Sequence, residues 1–271
     1  MRHYGTLHTY LDSGILTITM NRPEKRNALN PEMIDDLTDA FLAAGDEPSC
    51  RVILLTGAGN AFCAGLDLDH LEALRTKSAE EHRVDSERVA HLLRTLYDVP
   101  KPTIAAVNGA AIAGGMGLAT ICDFTLAVPE AKFGYTEVRI GFIPAIVSAF
   151  LRAQIGDKRS RDLLLTGRLI KAPEAFELGL VTRVVPEQEL MIEAGKLAQT
   201  LLQNSPAAME ATKRLLSEHA HIDLNREIEA AVAANAEART TEDFSEGIRA
   251  FLEKRQPVWP SLHPEKSASG R

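Results

Sequence analysis

The sequence has few aromatic residues and few cysteines. Aromatic side chains make up 5% of the 271 residues, and the three cysteines stand singly at Cys50, Cys63 and Cys122, without CxxC spacing. Single cysteines in an odd number argue against a disulfide framework or a zinc site, and a chain of this length buries enough surface to fold without cross-links. We therefore expect a cytoplasmic protein with no metal site and with its cysteines buried as small apolar side chains.

Positive charge is also scarce. The sequence has 30 lysines and arginines and 37 aspartates and glutamates, which gives a net charge of -7. An acidic chain can hold an anionic partner only through a local basic patch, so nucleic acid is not expected as a partner. The first ten residues lack the apolar core of a signal peptide. We therefore expect a globular protein that is not exported.

One uncharged stretch, residues 102–122, is long enough to cross a bilayer. Alanine and glycine dominate it, Asn108 interrupts it, and the glycines at positions 114, 115 and 117 are typical of a turn between buried elements. We interpret this stretch as a packed interior segment and expect no contact with a membrane.

Apolar periodicity predicts strands that alternate with helices. Residues 16–20 alternate between apolar and polar side chains, which is typical of a strand with one buried face. The runs 52–55, 103–107 and 124–128 are apolar apart from Thr103 and Thr125, which is typical of fully buried strands. A helix is expected directly after Asn30, which can cap it. The predicted fold class is therefore α/β.

Helical periodicity dominates the last third of the chain. Segments 188–203, 206–217 and 224–254 are each predicted to form a helix. We therefore divide the chain into an α/β core, residues 1–190, which holds the site, and a helical C-terminal region, residues 191–271.

Two glycine-rich turns carry the first chemical signal. A buried strand, a glycine turn and a helix start follow one another in residues 55–68 and again in residues 107–123. This order leaves backbone N–H groups at a helix start free to bind a ligand. A dinucleotide fingerprint is disfavoured because its third glycine would fall at Phe62, and no lysine follows to make a phosphate loop. The two turns could instead converge on one oxygen as an oxyanion hole.

Glu137 is the second signal, because it lies in the mostly apolar segment 131–144. Burial raises the pKa of a carboxyl group and suits it to proton transfer near neutral pH. The alternative is an ordinary surface residue in an ion pair with Arg139, and these residues taken alone favour that alternative.

A family resemblance changes this balance. Six segments resemble, in order, the enoyl-CoA hydratase/isomerase, or crotonase, superfamily: residues 21–30, 61–68, 109–123, 133–144, 163–168 and 246–255. The resemblance covers nearly the whole chain. It implies a spiral of ββα turns with a helical C-terminal region that mediates assembly into trimers, commonly paired into hexamers. It also implies an enzyme that acts on an acyl-CoA thioester and needs no cofactor besides that substrate.

The resemblance also assigns site residues. The backbone N–H groups of Ala64 and Gly114 would hold the thioester oxygen, and Glu137 would exchange the proton. The residues that would bind the CoA thioester are Lys25, Ala28, Leu29, Ala64, Gly65, Asp67, Leu68, Gly114, Phe251 and Lys254. Lys25 and Lys254, with Arg26, would supply the local positive charge that an acidic chain needs for the CoA phosphates.

One position departs from the family pattern. Hydratases of the family use two glutamates, and Gly117 occupies the position of the first. Three functions remain: a hydratase in which Glu137 handles both proton transfers, a single-glutamate isomerase that shifts a 3-enoyl to a 2-enoyl thioester, and a non-catalytic acyl-CoA-binding subunit. We rank hydration first. Asp69, His70 and Glu72 could replace the missing acid, although a solvated helix face is the simpler interpretation of each.

The acyl group is expected to be short or branched. Residues 133–142 are similar to a bacterial branch of the family that includes methylglutaconyl-CoA hydration in leucine degradation. A distal carboxylate on such a substrate would need a cation, and Arg75, Lys77 and Arg83 are the candidates in the sequence.

Overall fold

The computed structural model describes residues 2–262, without the side chains of residues 219–222. The end of the predicted C-terminal region, residues 263–271, lies outside the described residues. In chain order the strands are β1 (Leu7–Asp12), β2 (Ile15–Met20), β3 (Val52–Gly57), β4 (Ala61–Cys63), β5 (Thr103–Val107), β6 (Ala110–Ile112), β7 (Phe124–Ala127), β8 (Lys132–Gly134), β9 (Ile170–Lys171) and β10 (Arg183–Val184).

The helices occupy the segments between these strands and most of the chain after β10. They are α1 (Pro31–Asp46), α2 (Leu68–Leu74), α3 (Ala79–Asp98), α4 (Gly114–Ile121), α5 (Ala145–Thr166), α6 (Ala172–Glu177), α7 (Leu190–Leu202), α8 (Pro206–Ala238) and α9 (Glu242–Leu252). A 3₁₀ turn, Glu137–Ile140, precedes α5.

The strands form two sheets. The larger has the order β1-β2-β3-β5-β7-β10, in which β1 and β2 pair antiparallel and the other neighbours pair parallel. The smaller has the order β4-β6-β8-β9 and is parallel except for its last pair. A strand of the larger sheet, a strand of the smaller sheet and a helix therefore repeat along the chain, as β3-β4-α2, β5-β6-α4 and β7-β8-α5. The predicted α/β spiral of ββα turns is confirmed.

Buried strands and capped helices explain the core. Every residue of β3 and β5 is buried, as expected for parallel strands covered on both faces. The side chain of Asn30 accepts a hydrogen bond from the Met33 N–H and begins α1, as predicted.

The cysteines are also buried, and burial raises the pKa of the Cys63 and Cys122 thiols to about 12, so these thiols stay protonated.

Two helix boundaries differ from the sequence-based expectation. The chain does not leave the helix between residues 217 and 224, because α8 runs unbroken and packs against α3 and α5. The predicted helix 224–254 is instead divided, since α8 ends at Ala238 and Thr241 caps α9 by accepting from the Phe244 N–H. This break places Arg239 at the end of α8, where it matters for the site.

The uncharged stretch 102–122 forms β5, β6 and α4, with most of its residues in the core. Within residues 2–262, no helix combines the length and the hydrophobicity that a membrane span requires.

Candidate active site

A cavity of about 150 Å³ lies where the two glycine turns meet the chain after β8. A cavity of this volume holds a group of about six carbon atoms. Of the residues predicted to form the site, six line this cavity: Leu29, Ala64, Leu68, Gly114, Glu137 and Phe251. The wall is mostly aliphatic. Among the described lining residues, the polar side chains belong to Thr136, Glu137, Asn235 and Arg239.

Glu137 opens the 3₁₀ turn and is 9% exposed. Its Oε2 atom is buried and has no hydrogen-bond partner among the described residues. Burial without a compensating charge raises the pKa of Glu137 to about 7. The alternative of a surface ion pair with Arg139 is wrong, because Arg139 is exposed and Glu137 lies in the cavity wall. A carboxyl group with this pKa can both accept and donate a proton at neutral pH.

The two glycine turns touch, and glycine permits the contact. A Cβ atom on Gly115 would lie 2.3 Å from the carbonyl oxygen of Cys63, which is closer than any side chain tolerates. Leu66 follows the first turn and Gly114 begins α4 after the second, and both residues line the cavity. The sequence-based expectation that the two turns converge on one site therefore agrees with the structure.

The structure does not leave the N–H group of Ala64 free, although the family resemblance assigned it to the thioester oxygen. This group donates to the carbonyl oxygen of Arg26 at 3.0 Å. A backbone donor already bonded to the protein cannot be preorganised for a substrate oxygen. The predicted role of Ala64 as a donor is therefore corrected, while its place in the cavity wall remains.

Leu66 supplies the free N–H group instead. Leu29 pairs with Leu66 as an isolated parallel bridge, in which the Leu29 N–H donates to Gly65 at 2.7 Å and the Asp67 N–H donates to Leu29 at 2.9 Å. In a parallel bridge of this kind, the N–H and C=O of the opposite residue point away from the partner. The Leu66 N–H has no acceptor among residues 2–262.

Gly114 supplies the second free N–H group. It is the first residue of α4, and the first-turn N–H groups of a helix have no partner within the helix. In the described part of the chain the Gly114 N–H donates no hydrogen bond. The N–H groups of Leu66 and Gly114 thus belong to two cavity-lining residues at the meeting point of the turns, so they form the candidate oxyanion hole.

Gly117 does not line the cavity, and Val147 does. A Cβ atom on Gly117 would lie 2.9 Å from Cγ1 of Val147, whose side chain is buried and stiff about its first torsion. Val147 therefore takes up the space next to position 117 into which a glutamate of the usual family pattern would extend.

We expect Gly117→Ala to lower the free energy of unfolding by about 1 kcal/mol, although alanine favours helices, because it overpacks against Val147. In a Val147→Ala background the same change should cost nothing or stabilise. Urea unfolding of the four proteins measures this coupling. Gly195→Ala is the matched control, since Gly195 lies within α7 and a Cβ there meets nothing within 4 Å. An equal cost of Gly117→Ala in both backgrounds would contradict this account.

The raised pKa of Glu137 also predicts a pH-dependent stability. Its pKa rises from an ordinary 4.5 to about 7 on folding, so the folded state holds one proton more than the unfolded state between these values. The contribution of Glu137 to the free energy of unfolding is therefore complete below pH 4.5 and falls as the pH rises to 7. Against Glu137→Gln, we expect the wild type to lose about 3 kcal/mol between pH 4.5 and pH 8.

Chemical denaturation at a series of pH values measures this difference. Glu72→Gln is the control, because Glu72 is exposed and lies outside the cavity. A wild type and a Glu137→Gln variant whose stabilities keep a constant difference across this pH range would contradict the raised pKa.

Five residues assigned to CoA binding lie outside the cavity wall. Lys25 is exposed and pairs with Asp69 at 2.8 Å, and Lys254 is exposed. Asp67 is buried, caps α2 and pairs with Arg22 at 2.8 Å, so its carboxylate is already bonded within the protein. The other two are Ala28 and Gly65, which are buried beside the wall. Asp67 also explains why α2 begins at Leu68.

None of the acids proposed to replace the missing glutamate lies in the described cavity wall. Asp69 pairs with Lys25, His70 contacts Asp85 at 2.8 Å, and Glu72 is exposed. The cations proposed for a distal carboxylate are absent from the described wall as well. Lys77 and Arg83 are exposed and pair with glutamates of α3, and Arg75 lies on the exposed end of α2. No other carboxylate of the described wall therefore replaces the glutamate that the family pattern places at position 117.

Sequence reasoning missed Asn235 and Arg239, which line the cavity from the end of α8. The sequence does contain a signal for them. Five buried residues recur at helical spacing: Leu224, Ile228, Ala231, Asn235 and Arg239. Polar residues within an apolar stripe mark a buried polar site. The stripe lies within the predicted helix 224–254, but only the tertiary structure shows that its polar end lines the cavity.

Comparison with known proteins identifies the family. The sequence profile of one family, described as enoyl-CoA hydratase/isomerase, matches residues 11–262. The chain belongs to the enoyl-CoA hydratase/isomerase family. Its predicted family and its nature as an enzyme of the enoyl-CoA hydratase type are thereby confirmed.

Individual relatives of this family member cover nearly its whole length. A Thermus thermophilus protein named "Putative enoyl-CoA hydratase" is 45% identical over 243 residues, which are 90% of this chain and 96% of that protein. A crotonyl-CoA hydratase of Syntrophomonas wolfei is 35% identical over 244 residues, which are 89% of this chain and 93% of that protein. A crystal structure of an enoyl-CoA hydratase/isomerase from Xanthobacter autotrophicus superimposes with a TM-score of 0.86 at 31% identity, over 93% of this chain and 98% of that one.

Proposed function

We propose that the enzyme adds water reversibly to the double bond of a short-chain or branched 2-enoyl-CoA. The observation that carries the proposal is Glu137, a buried carboxyl group with a pKa of about 7 in the wall of the cavity that Leu66 and Gly114 also line. These parts supply the two requirements of the reaction, a proton carrier and a site for developing negative charge.

The thioester oxygen accepts hydrogen bonds from the N–H groups of Leu66 and Gly114. Negative charge moves onto this oxygen as the enolate forms, so the donors stabilise the transition state more than the substrate. Each preorganised donor of this kind is worth about 3 kcal/mol. The positive end of α4 adds to the effect, because Gly114 is its first residue.

Glu137 carries the proton. Its carboxylate removes a proton from water while the water oxygen bonds to C3, and the electrons of the double bond move toward the thioester oxygen. The protonated Glu137 then donates to C2, which completes the addition of one water and restores the carboxylate. A pKa of about 7 allows both halves of this cycle at neutral pH. The reaction needs no separate cofactor, because CoA enters as part of the substrate.

Double-bond isomerisation is the second candidate. The observation that favours it is that Glu137 is the only carboxylate among the described residues that line the cavity. A single carboxylate can remove a proton from C2 of a 3-enoyl thioester and return it to C4, through the same stabilised enolate, without a second acid.

The proposal also includes the residues that bind CoA, one candidate substrate, the oligomeric state and the cellular compartment. We propose that Lys25, Arg26 and Lys254 lie near the CoA phosphates, and that Phe251, which is half-exposed at the cavity, contacts the thioester arm. Methylglutaconyl-CoA is one candidate substrate. We further propose a homotrimer or a hexamer in the cytoplasm.

A substrate panel followed by mass spectrometry tests the proposal. The purified protein is given 2-enoyl-, 3-enoyl- and 3-hydroxyacyl-CoA thioesters, with Glu137→Gln as the matched control. A gain of one water on a 2-enoyl thioester supports hydration, and a shift of a 3-enoyl thioester without mass change supports isomerisation. Binding without turnover of any member would overturn both and leave an acyl-CoA-binding subunit.

A further inference from the structure

Arg239 places a positive charge in the wall of an otherwise aliphatic cavity. The residue is 3% exposed and follows α8 directly. Its Nη1 donates to Oδ2 of Asp85 at 2.6 Å, and its guanidinium carbon lies 5.4 Å from the centre of the Phe142 ring. These contacts fix the guanidinium at the cavity without using all of its donors.

The Nε–H group of Arg239 is a buried donor without a partner among the described residues. A guanidinium presents five N–H donors, and leaving one buried and unbonded is costly. Because Arg239 lines the cavity, a bound ligand is the candidate source of that acceptor.

Asp85 offers Arg239 only one of its two carboxylate oxygens. Asp85 is the acidic partner of Arg239, but its second oxygen contacts Nε2 of His70 at 2.8 Å. One carboxylate therefore faces two nitrogen donors. Arg239 is the only Lys or Arg among the described residues of the cavity wall, so no other described cation of the wall can serve an anionic group there.

We propose that Arg239 recognises an oxygen acceptor at the far end of the acyl group, and that the enzyme prefers acyl chains that end in a carboxylate. The acceptor completes the hydrogen bonds of the guanidinium, and a carboxylate does so more strongly than a neutral oxygen because both partners are charged. Asn235, held by Ser86 at 2.8 Å, lines the same cavity one helical turn before Arg239. This inference rests on the proposed function, whose acyl thioester would fill the cavity.

Binding of unreactive ligands tests the inference apart from the reaction. Calorimetry compares three saturated thioesters with five-carbon acyl chains: glutaryl-CoA, its terminal monoamide and pentanoyl-CoA. We expect glutaryl-CoA to bind at least about tenfold more tightly than pentanoyl-CoA, with the monoamide between them. Pentanoyl-CoA that binds as tightly as glutaryl-CoA would overturn the proposal.

Substitution of Arg239 tests whether this residue causes the preference. We expect Arg239→Met to abolish the preference for glutaryl-CoA and Arg239→Lys to keep part of it. Arg83→Met is the matched control, because Arg83 is exposed and pairs with Glu80 and Glu87 outside the cavity. An undiminished preference in a folded Arg239→Met protein would also overturn the proposal.

The experiment remains decisive if a substitution prevents folding, because the three-ligand comparison on the wild type needs no variant. It also separates the two proposals. Saturated thioesters cannot be hydrated, so the binding preference stands or falls independently of turnover, whereas the substrate panel can fail without changing it.

Discussion

Glu137→Gln is expected to lower kcat for 2-enoyl-CoA hydration by about a thousandfold or more, while thioester binding changes little. Glutamine keeps the size of the side chain but can neither remove a proton from water nor return one to carbon. The same substitution should abolish isomerisation, because Glu137 is the only carboxylate of the described cavity wall.

Steady-state kinetics with crotonyl-CoA and calorimetry with butyryl-CoA separate these two effects. Glu137→Asp is the matched variant, since it keeps the acid but withdraws it by one methylene, and it should retain intermediate activity. Glu72→Gln, a substitution on the exposed surface of α2, controls for the loss of a carboxylate in general. Near-normal turnover in Glu137→Gln would show that another group carries the proton.

Leu66→Pro is expected to lower kcat/KM by about a hundredfold to a thousandfold, because proline removes the N–H group that would hold the thioester oxygen. Both hydrogen bonds of the local bridge belong to neighbours of Leu66, from Leu29 to Gly65 and from Asp67 to Leu29, so they survive the change. The residue before the new proline is Gly65, which has no Cβ to collide with the ring.

Leu66→Ala is the matched control, since it shortens the side chain and keeps the N–H group, and we expect it to cost less than tenfold. The melting temperature and the circular dichroism spectrum of each variant establish that it is folded. The assignment would be refuted if folded Leu66→Pro kept its activity, or if Leu66→Ala lost as much. Substitutions at Ala64 should act only through the shape of the wall, because the Ala64 N–H is bonded to Arg26.

Strong local patterns explain which elements the sequence predicted. The buried runs became β3, β5 and β7, because runs of mostly apolar residues form central parallel strands. The smaller sheet was not predicted, since β4, β6 and β8 have three residues each, too few to show a period. Their pairing depends on contacts between distant segments, which local propensity does not record.

The C-terminal helices show a similar division. No glycine or proline interrupts α8, so nothing in the chain required the predicted break after residue 217. The break that does occur had a signal, because Thr241 precedes an acidic first turn, a common helix start. Here the sequence contained the information and the tertiary contacts of α8 with α3 and α5 explain its uninterrupted length.

By itself, the sequence determined the family and the α/β class. It gave the convergence of the two glycine turns as one possibility, and through the family resemblance it predicted Glu137 as the proton carrier to be tested. These features rest on local composition and on contiguous motifs. Only the tertiary structure decided that the free N–H belongs to Leu66, because the direction of a peptide group depends on its pairing with Leu29. It also brought Val147 against Gly117 and Arg239 into the cavity, since burial by distant helices sets which side chains share one space.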